Sequence, residues 1–171
     1  MKKTINALLL STLATFALNI GEVPKSIIID EKNGGYLDGT AWCSSMIKNK
    51  IYIVFYVDPD EKDTNNELYE TLKAKNYKGT KFSSIAIINL KATWLPNFFI
   101  ESTLKEKQKE YPDTIYVKDK GKVLVKEWGL EDDSSDILLF DKEGKLLYSY
   151  AGKLDEFEIE KVVALIDENI N

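Results

Sequence analysis

The sequence predicts an α/β fold with a mixed central sheet and helices on both faces. Three observations carry this. Ile51-Tyr52-Ile53-Val54-Phe55-Tyr56-Val57 is a near-continuous β-branched and aromatic run, the composition of a strand buried on both faces. A helical stretch separates it from a second such run, Ile85-Ala86-Ile87-Ile88, which is the spacing of a parallel crossover. Toward the C-terminus, Ile137-Leu138-Leu139-Phe140 and Lys145-Leu146-Leu147-Tyr148 flank Asp141-Lys142-Glu143-Gly144 as an antiparallel hairpin, with Gly144 placed for the positive φ of a tight turn.

The chain opens with Met1-Lys2-Lys3, an apolar run over 5–18 and the small residues Thr15 and Ala17, which together read as a Sec-type signal peptide cleaved after Ala17. The run is shorter than the roughly 20 residues of a spanning helix, and no cysteine near its end offers a lipid anchor. We therefore expect a signal peptide at 1–17 and a single soluble domain at 18–171, exported to the periplasm without stable membrane insertion. Ile27-Ile28-Ile29 predicts an early strand closed by a turn at Asn33-Gly34-Gly35, and Thr40 is placed to cap a short helical turn through Met46. Asp58-Pro59-Asp60-Glu61-Lys62-Asp63 breaks the first core strand. A helix over 66–77 follows, with Leu68 and Leu72 at helical spacing, and then a strand over 82–90.

Pro96 opens a helix that runs to Tyr111-Pro112. Residues 114–117 and 122–125 read as short extended pieces around Asp119-Lys120-Gly121. After the hairpin, Asp155 with Glu158 forms a capping pattern for a last helix, whose Ile159, Val162, Val163, Ile166 and Ile170 share one face.

Composition narrows the chemistry. The 171 residues are 44% hydrophobic and 11% aromatic, enough for one real core. A formal charge of −5 argues against nucleic acid, whose phosphates need a basic patch. Every cation is lysine and there is no histidine, which removes Ser/His and Cys/His catalytic pairs and histidine metal ligands. A lone cysteine, Cys43, leaves neither an internal disulfide nor a CxxC pair.

An ordered set of short motifs runs through this frame: Trp42-x-Ser44 and Lys50 before the first core strand, Ile88-Asn89, Ser102 with Leu104 and Tyr111-Pro112, Trp128-x-Leu130 leading to Ser134-Ser135, and Asp141-x-x-Gly144 in the hairpin. On these the chain resembles the YtfJ family of exported, functionally uncharacterised bacterial proteins, and the order of elements resembles the thioredoxin-like fold. That resemblance implies where a dithiol site would lie, directly after the first core strand and opposite a cis-proline. Here those positions read Asp58-Pro59-Asp60-Glu61-Lys62 and Ser135, whereas Trp42-Cys43 precedes the strand.

The expected site follows from this. Ligands of α/β folds bind beyond the carboxyl ends of the strands, so Asp58 and Asp60, with Trp128, Ser134 and Ser135, form a candidate polar groove for an unidentified protein or small-molecule partner. The same acids also serve as turn residues and as helix N-terminal charges. Cys43 reads as structural, with a single-cysteine thiol oxidoreductase or peroxidase-like enzyme as the rival and Lys48 and Lys50 as the local help for a thiolate. The run from Glu131 to Asp136 offers oxygen ligands for a hard cation but lacks the glycine-punctuated spacing of an EF-hand, so no metal or other cofactor is expected. Trp94, alone among the three tryptophans, sits in a loop where it could meet a partner. No constellation supports catalysis, and the reading leans toward a non-enzyme.

Overall fold

The computed structural model describes residues 18–170, so the signal peptide expected at 1–17 lies outside the described residues. Near the N-terminus, β1 (Ile28–Ile29), β2 (Gly34–Tyr36) and β3 (Trp42–Cys43) come first, and β1 pairs with β3 as a small antiparallel ribbon. There follow β4 (Ile51–Val57), α1 (Asn66–Lys75), β5 (Phe82–Asn89), α2 (Asn97–Glu110), β6 (Thr114–Asp119), α3 (Val123–Trp128), β7 (Ser135–Phe140), β8 (Leu146–Ala151) and α4 (Glu156–Asn169). The main sheet has the order β2-β6-β5-β4-β7-β8, parallel through β6, β5 and β4 and antiparallel elsewhere. The expected mixed sheet is therefore present.

The period of two in β4 builds both cores. Ile51, Ile53, Phe55 and Val57 face Leu68 and Leu72 of α1 and Ile159, Val162 and Ile166 of α4. Tyr52, Val54 and Tyr56 face the other way, onto Leu124 and Trp128 of α3 and onto Ile29 and Trp42 of the ribbon. All seven β4 residues are buried, as the unbroken apolar run requires. No helix among the described residues is long and apolar enough to cross a membrane.

Three local expectations are corrected. Residues 122–125 are not extended but open α3, because Lys122 adopts a left-handed backbone and the Asp119 carboxylate accepts the Leu124 N–H at 3.2 Å, capping the first turn. Gly34 and Gly35 are not a turn but the edge strand β2. A Cβ on Gly34 would lie 1.9 Å from the Lys118 carbonyl oxygen, an approach open only to glycine. Thr40 does not cap the turn near Met46; its N–H and hydroxyl both donate to Asp38 instead. At α4, Asp155 accepts the Glu158 N–H at 2.9 Å as expected, while the Glu158 carboxylate accepts from the Tyr148 hydroxyl at 2.7 Å.

Candidate functional site: the strand ends around Asp58

The carboxyl ends of β4 and β5 meet the start of β7, with Val57 opposite Ser135 and Asn89 at the last step of β5. Asp58 extends that pairing by one residue. Its N–H donates to the Ser134 carbonyl at 3.0 Å, and the Ser134 N–H donates back to Asp58 Oδ2 at 2.9 Å. Asn89, fully buried, donates to Asp132 Oδ1 at 3.1 Å, and Lys122 pairs with Asp132 Oδ2. The acidic loop before β7 is thus strapped across the strand ends.

Burial sets the electrostatics here. Asp58 is 2% exposed and its Oδ1 makes no hydrogen bond. Desolvation pushes its carboxyl up to about 6; the Asn89 side chain and the Ser134 N–H pull the other way, while Asp132 and Asp133 repel. Asp136, 3% exposed, also has one unbonded oxygen, and burial pushes it up to about 7. Asp132 differs, since Lys122 holds its carboxyl below the usual range.

On the α1 side of the same end, Ser135 points into a different environment. Its Oγ accepts from Asn65 Nδ2 at 2.9 Å, and Asn65 also donates to Gly152 O and accepts from the Leu154 N–H. Beside this pair a cavity of about 320 Å³ lies between α1, α2 and the sheet. Its floor follows from the sequence. The residues that β5 presents beneath α2 are Ser84, Ala86 and Ile88, all half-buried, and two of the three are too small to fill the space. Among α2 residues only Leu104 is buried. Lys62 and Lys107 line the cavity, while Trp94 is 86% exposed and Phe98 and Phe99 are exposed close by in sequence.

The structure brings Asp58, Ser134 and Ser135 together. Asp60 sits two residues beyond Asp58, exposed in the turn at Pro59–Glu61. Trp128 is not brought there: it is 3% exposed, packs on Phe140 and donates from Nε1 to the Lys25 carbonyl. Cys43 lies on β3, before β4, and its neighbours Ser44, Ser45, Ile47 and Lys48 line a cleft with Glu143 and Gly144 of the β7–β8 turn, at the sheet end opposite Asp58. Its thiol is half-buried, 3.0 Å from Ser45 Oγ and 3.6 Å from Ser26 Oγ, and these hydroxyls, not lysines, draw its pKa down.

Sequence reading missed Asn65 and the particular position of Asp136, and named Asn89 only as part of the Ile88-Asn89 motif, without a role at the site. A signal existed for Asn89 and Asp136, polar residues adjoining apolar runs, where burial without a partner is costly; Asn65, between Thr64 and Asn66, carried none.

The model of the family described as bacterial protein of unknown function (YtfJ_HI0045) matches residues 18–169. An uncharacterized protein of Haemophilus influenzae is 26% identical over 98% of both chains. The uncharacterized protein YtfJ of Escherichia coli K12 is 23% identical over 83% of this chain and 77% of its own. Among solved structures, the pneumococcal exposed lipoprotein thioredoxin of Streptococcus pneumoniae superposes with a TM-score of 0.58 at 16% identity, covering 84% of this chain and 99% of the other. That likeness shows a thioredoxin-like fold.

Proposed function

We propose, for a chain that belongs to the YtfJ_HI0045 family of bacterial proteins of unknown function, that it is an exported, non-catalytic binding protein of the periplasm. Residues 1–17 are its signal peptide and 18–171 a single thioredoxin-like domain. It binds an apolar ligand or the apolar part of a partner where redox members of the fold hold their substrates. The observation that carries this reading is the cavity beside Ser135. Its walls are mostly apolar, a few polar groups converge on one end, and lysines line its margin, which is the usual make-up of a ligand site. The strand-end position that would hold cysteines carries Asp58, buried and strapped to Ser134.

The anionic apolar dye 1-anilinonaphthalene-8-sulfonate tests the cavity. Its fluorescence should rise saturably on mixing with the folded protein, and Ala86→Leu should remove that response. The same substitution should raise stability by about 0.5–2 kcal/mol, since it fills space already present. Retained dye binding in a stabilised Ala86→Leu protein would move the site to the exposed Trp94 and Phe98 surface. A destabilised variant would mean that the cavity is closed in solution.

A second reading rests on the half-buried, hydroxyl-flanked thiol of Cys43. Alkylation should show a lower midpoint pH in the folded chain than in the urea-unfolded one, because Ser45 and Ser26 favour the thiolate. On the binding reading, Cys43→Ser leaves dye binding unchanged. Loss of dye binding in Cys43→Ser would shift the functional site to β3.

A further inference from the structure

We propose that Asp58, Asp132 and Asp133 form a binding site for a hard divalent cation, Ca²⁺ in preference to Mg²⁺. Each offers a carboxylate oxygen, and these three oxygens lie within 4.8 Å of one another. Preference for Ca²⁺ follows from where the ligands come from: one strand end and one loop give an irregular oxygen set, which Ca²⁺ accepts at roughly 2.3–2.6 Å, whereas Mg²⁺ demands a near-ideal octahedron at roughly 2.0–2.1 Å.

Proximity of acids alone would not make a site, since exposed carboxylates often cluster without an ion. Asp58 supplies the independent observation. It is 98% buried, counting from its 2% exposure, and its Oδ1 has no hydrogen-bond partner. A buried acceptor left unpaired is costly, and a cation satisfies it directly. The existing counter-charge does not do so: Lys122 pairs directly with Asp132 Oδ2 and acts on Asp58 and Asp133 only through space, one cation among three carboxylates. Asp132 keeps capacity for an ion, because a carboxylate has about four lone-pair sites and only two are engaged here, by Lys122 and Asn89.

The set also explains why spacing in the sequence did not reveal it. Two ligands come from the loop before β7, while the third follows β4, and they meet only because β4 and β7 are paired neighbours. Water and loop carbonyls would complete the six to eight oxygens that Ca²⁺ takes. With three protein carboxylates and a lysine nearby, an apparent Kd on the order of 10⁻⁴–10⁻³ M is expected, the range of weak extracellular Ca²⁺ modules.

The test is calorimetric and thermal titration of the chelator-treated protein with CaCl₂, MgCl₂ and NaCl at matched ionic strength. A saturable rise in Tm with Ca²⁺, weaker with Mg²⁺ and absent with NaCl, is the expected result. Asp58→Asn and Asp133→Asn should each weaken Ca²⁺ affinity by about tenfold or more, while Asp113→Asn, exposed and remote in sequence, should not. Asp133 is exposed, so its variant keeps the test valid even if Asp58→Asn impairs folding. No saturable Ca²⁺ response up to about 10 mM, a response matched by NaCl, or full affinity in Asp133→Asn would each overturn the proposal. Dye binding in the α1–α2 cavity is measured separately, so either site can fail without the other.

Discussion

Asp119→Ala is expected to lower stability by about 3–5 kcal/mol, the largest loss predicted here for a single polar side chain. Asp119 is fully buried at the end of β6. Its Oδ1 accepts the Gly121 N–H at 3.0 Å, and its Oδ2 accepts the Leu124 N–H at 3.2 Å and the Tyr56 hydroxyl at 3.3 Å. Truncation leaves three donors without this acceptor, in a place where each unsatisfied group costs about 1–3 kcal/mol. Two of these bonds fold the chain from β6 into α3, and the third ties β4 to that corner. Urea unfolding should show a lower midpoint with an unchanged slope, the signature of lost stability in an intact fold. A loss under about 1 kcal/mol would mean that water replaces the carboxylate without strain.

The same corner shows where sequence reading stops. Val123-Leu124-Val125 is β-branched and apolar, and by local preference it is extended. What makes it helical is Asp119, four residues before Val123, supplying an acceptor to the first turn while Lys122 takes a left-handed backbone. Tertiary hydrogen bonding overrides a short-range propensity here. Elements defined by long periodic patterns were legible: β4, β5, the hairpin β7–β8 and α4 all lie where alternation or helical spacing places them. Gly34-Gly35 was not, because two glycines signal a turn equally well as they signal a strand pressed against a neighbouring carbonyl.

For the site, Asp58, Ser134 and Ser135 follow from topology, since a strand end and the start of its paired neighbour must be close. The cavity required knowing which face of β5 lies under α2. Ser84, Ala86 and Ile88 alternate with Ile85 and Ile87, and the alternation is visible in the sequence. Only the structure shows that the smaller side chains face a helix that buries little but Leu104. Trp128 shows the opposite: the motif Trp128-x-Leu130 leading to Ser134-Ser135 put it with the groove residues, yet the α3 helix turns its ring into the core.

Stability of the chelator-treated protein should increase as pH falls from about 8 to about 5, the reverse of the trend set by ion-paired carboxylates. Burial pushes Asp136 up to about 7, against about 3.9 for an unfolded aspartate. Between those values the folded chain holds a proton that the unfolded chain has lost, so lowering the pH favours folding, and the benefit disappears as pH rises through about 7. Glu131 and Asp58, the charged groups that act on Asp136, both disfavour its ionised form, whereas the Glu131 N–H bond to Oδ1 opposes them. Tyr56, paired opposite on β4, is raised far above its ordinary value by burial and stays neutral throughout this window. Asp58, pushed up to about 6, acts in the same direction. Asp136→Asn should therefore flatten the profile above about pH 6 and exceed the parent by about 1–2 kcal/mol at pH 8, where the parent must hold a buried charge with one oxygen unbonded. Thermal unfolding of both proteins across this range is the measurement. A parent whose Tm climbs with pH instead would mean that Asp136 is hydrated or paired in solution, and that the strand ends are more open than their burial indicates.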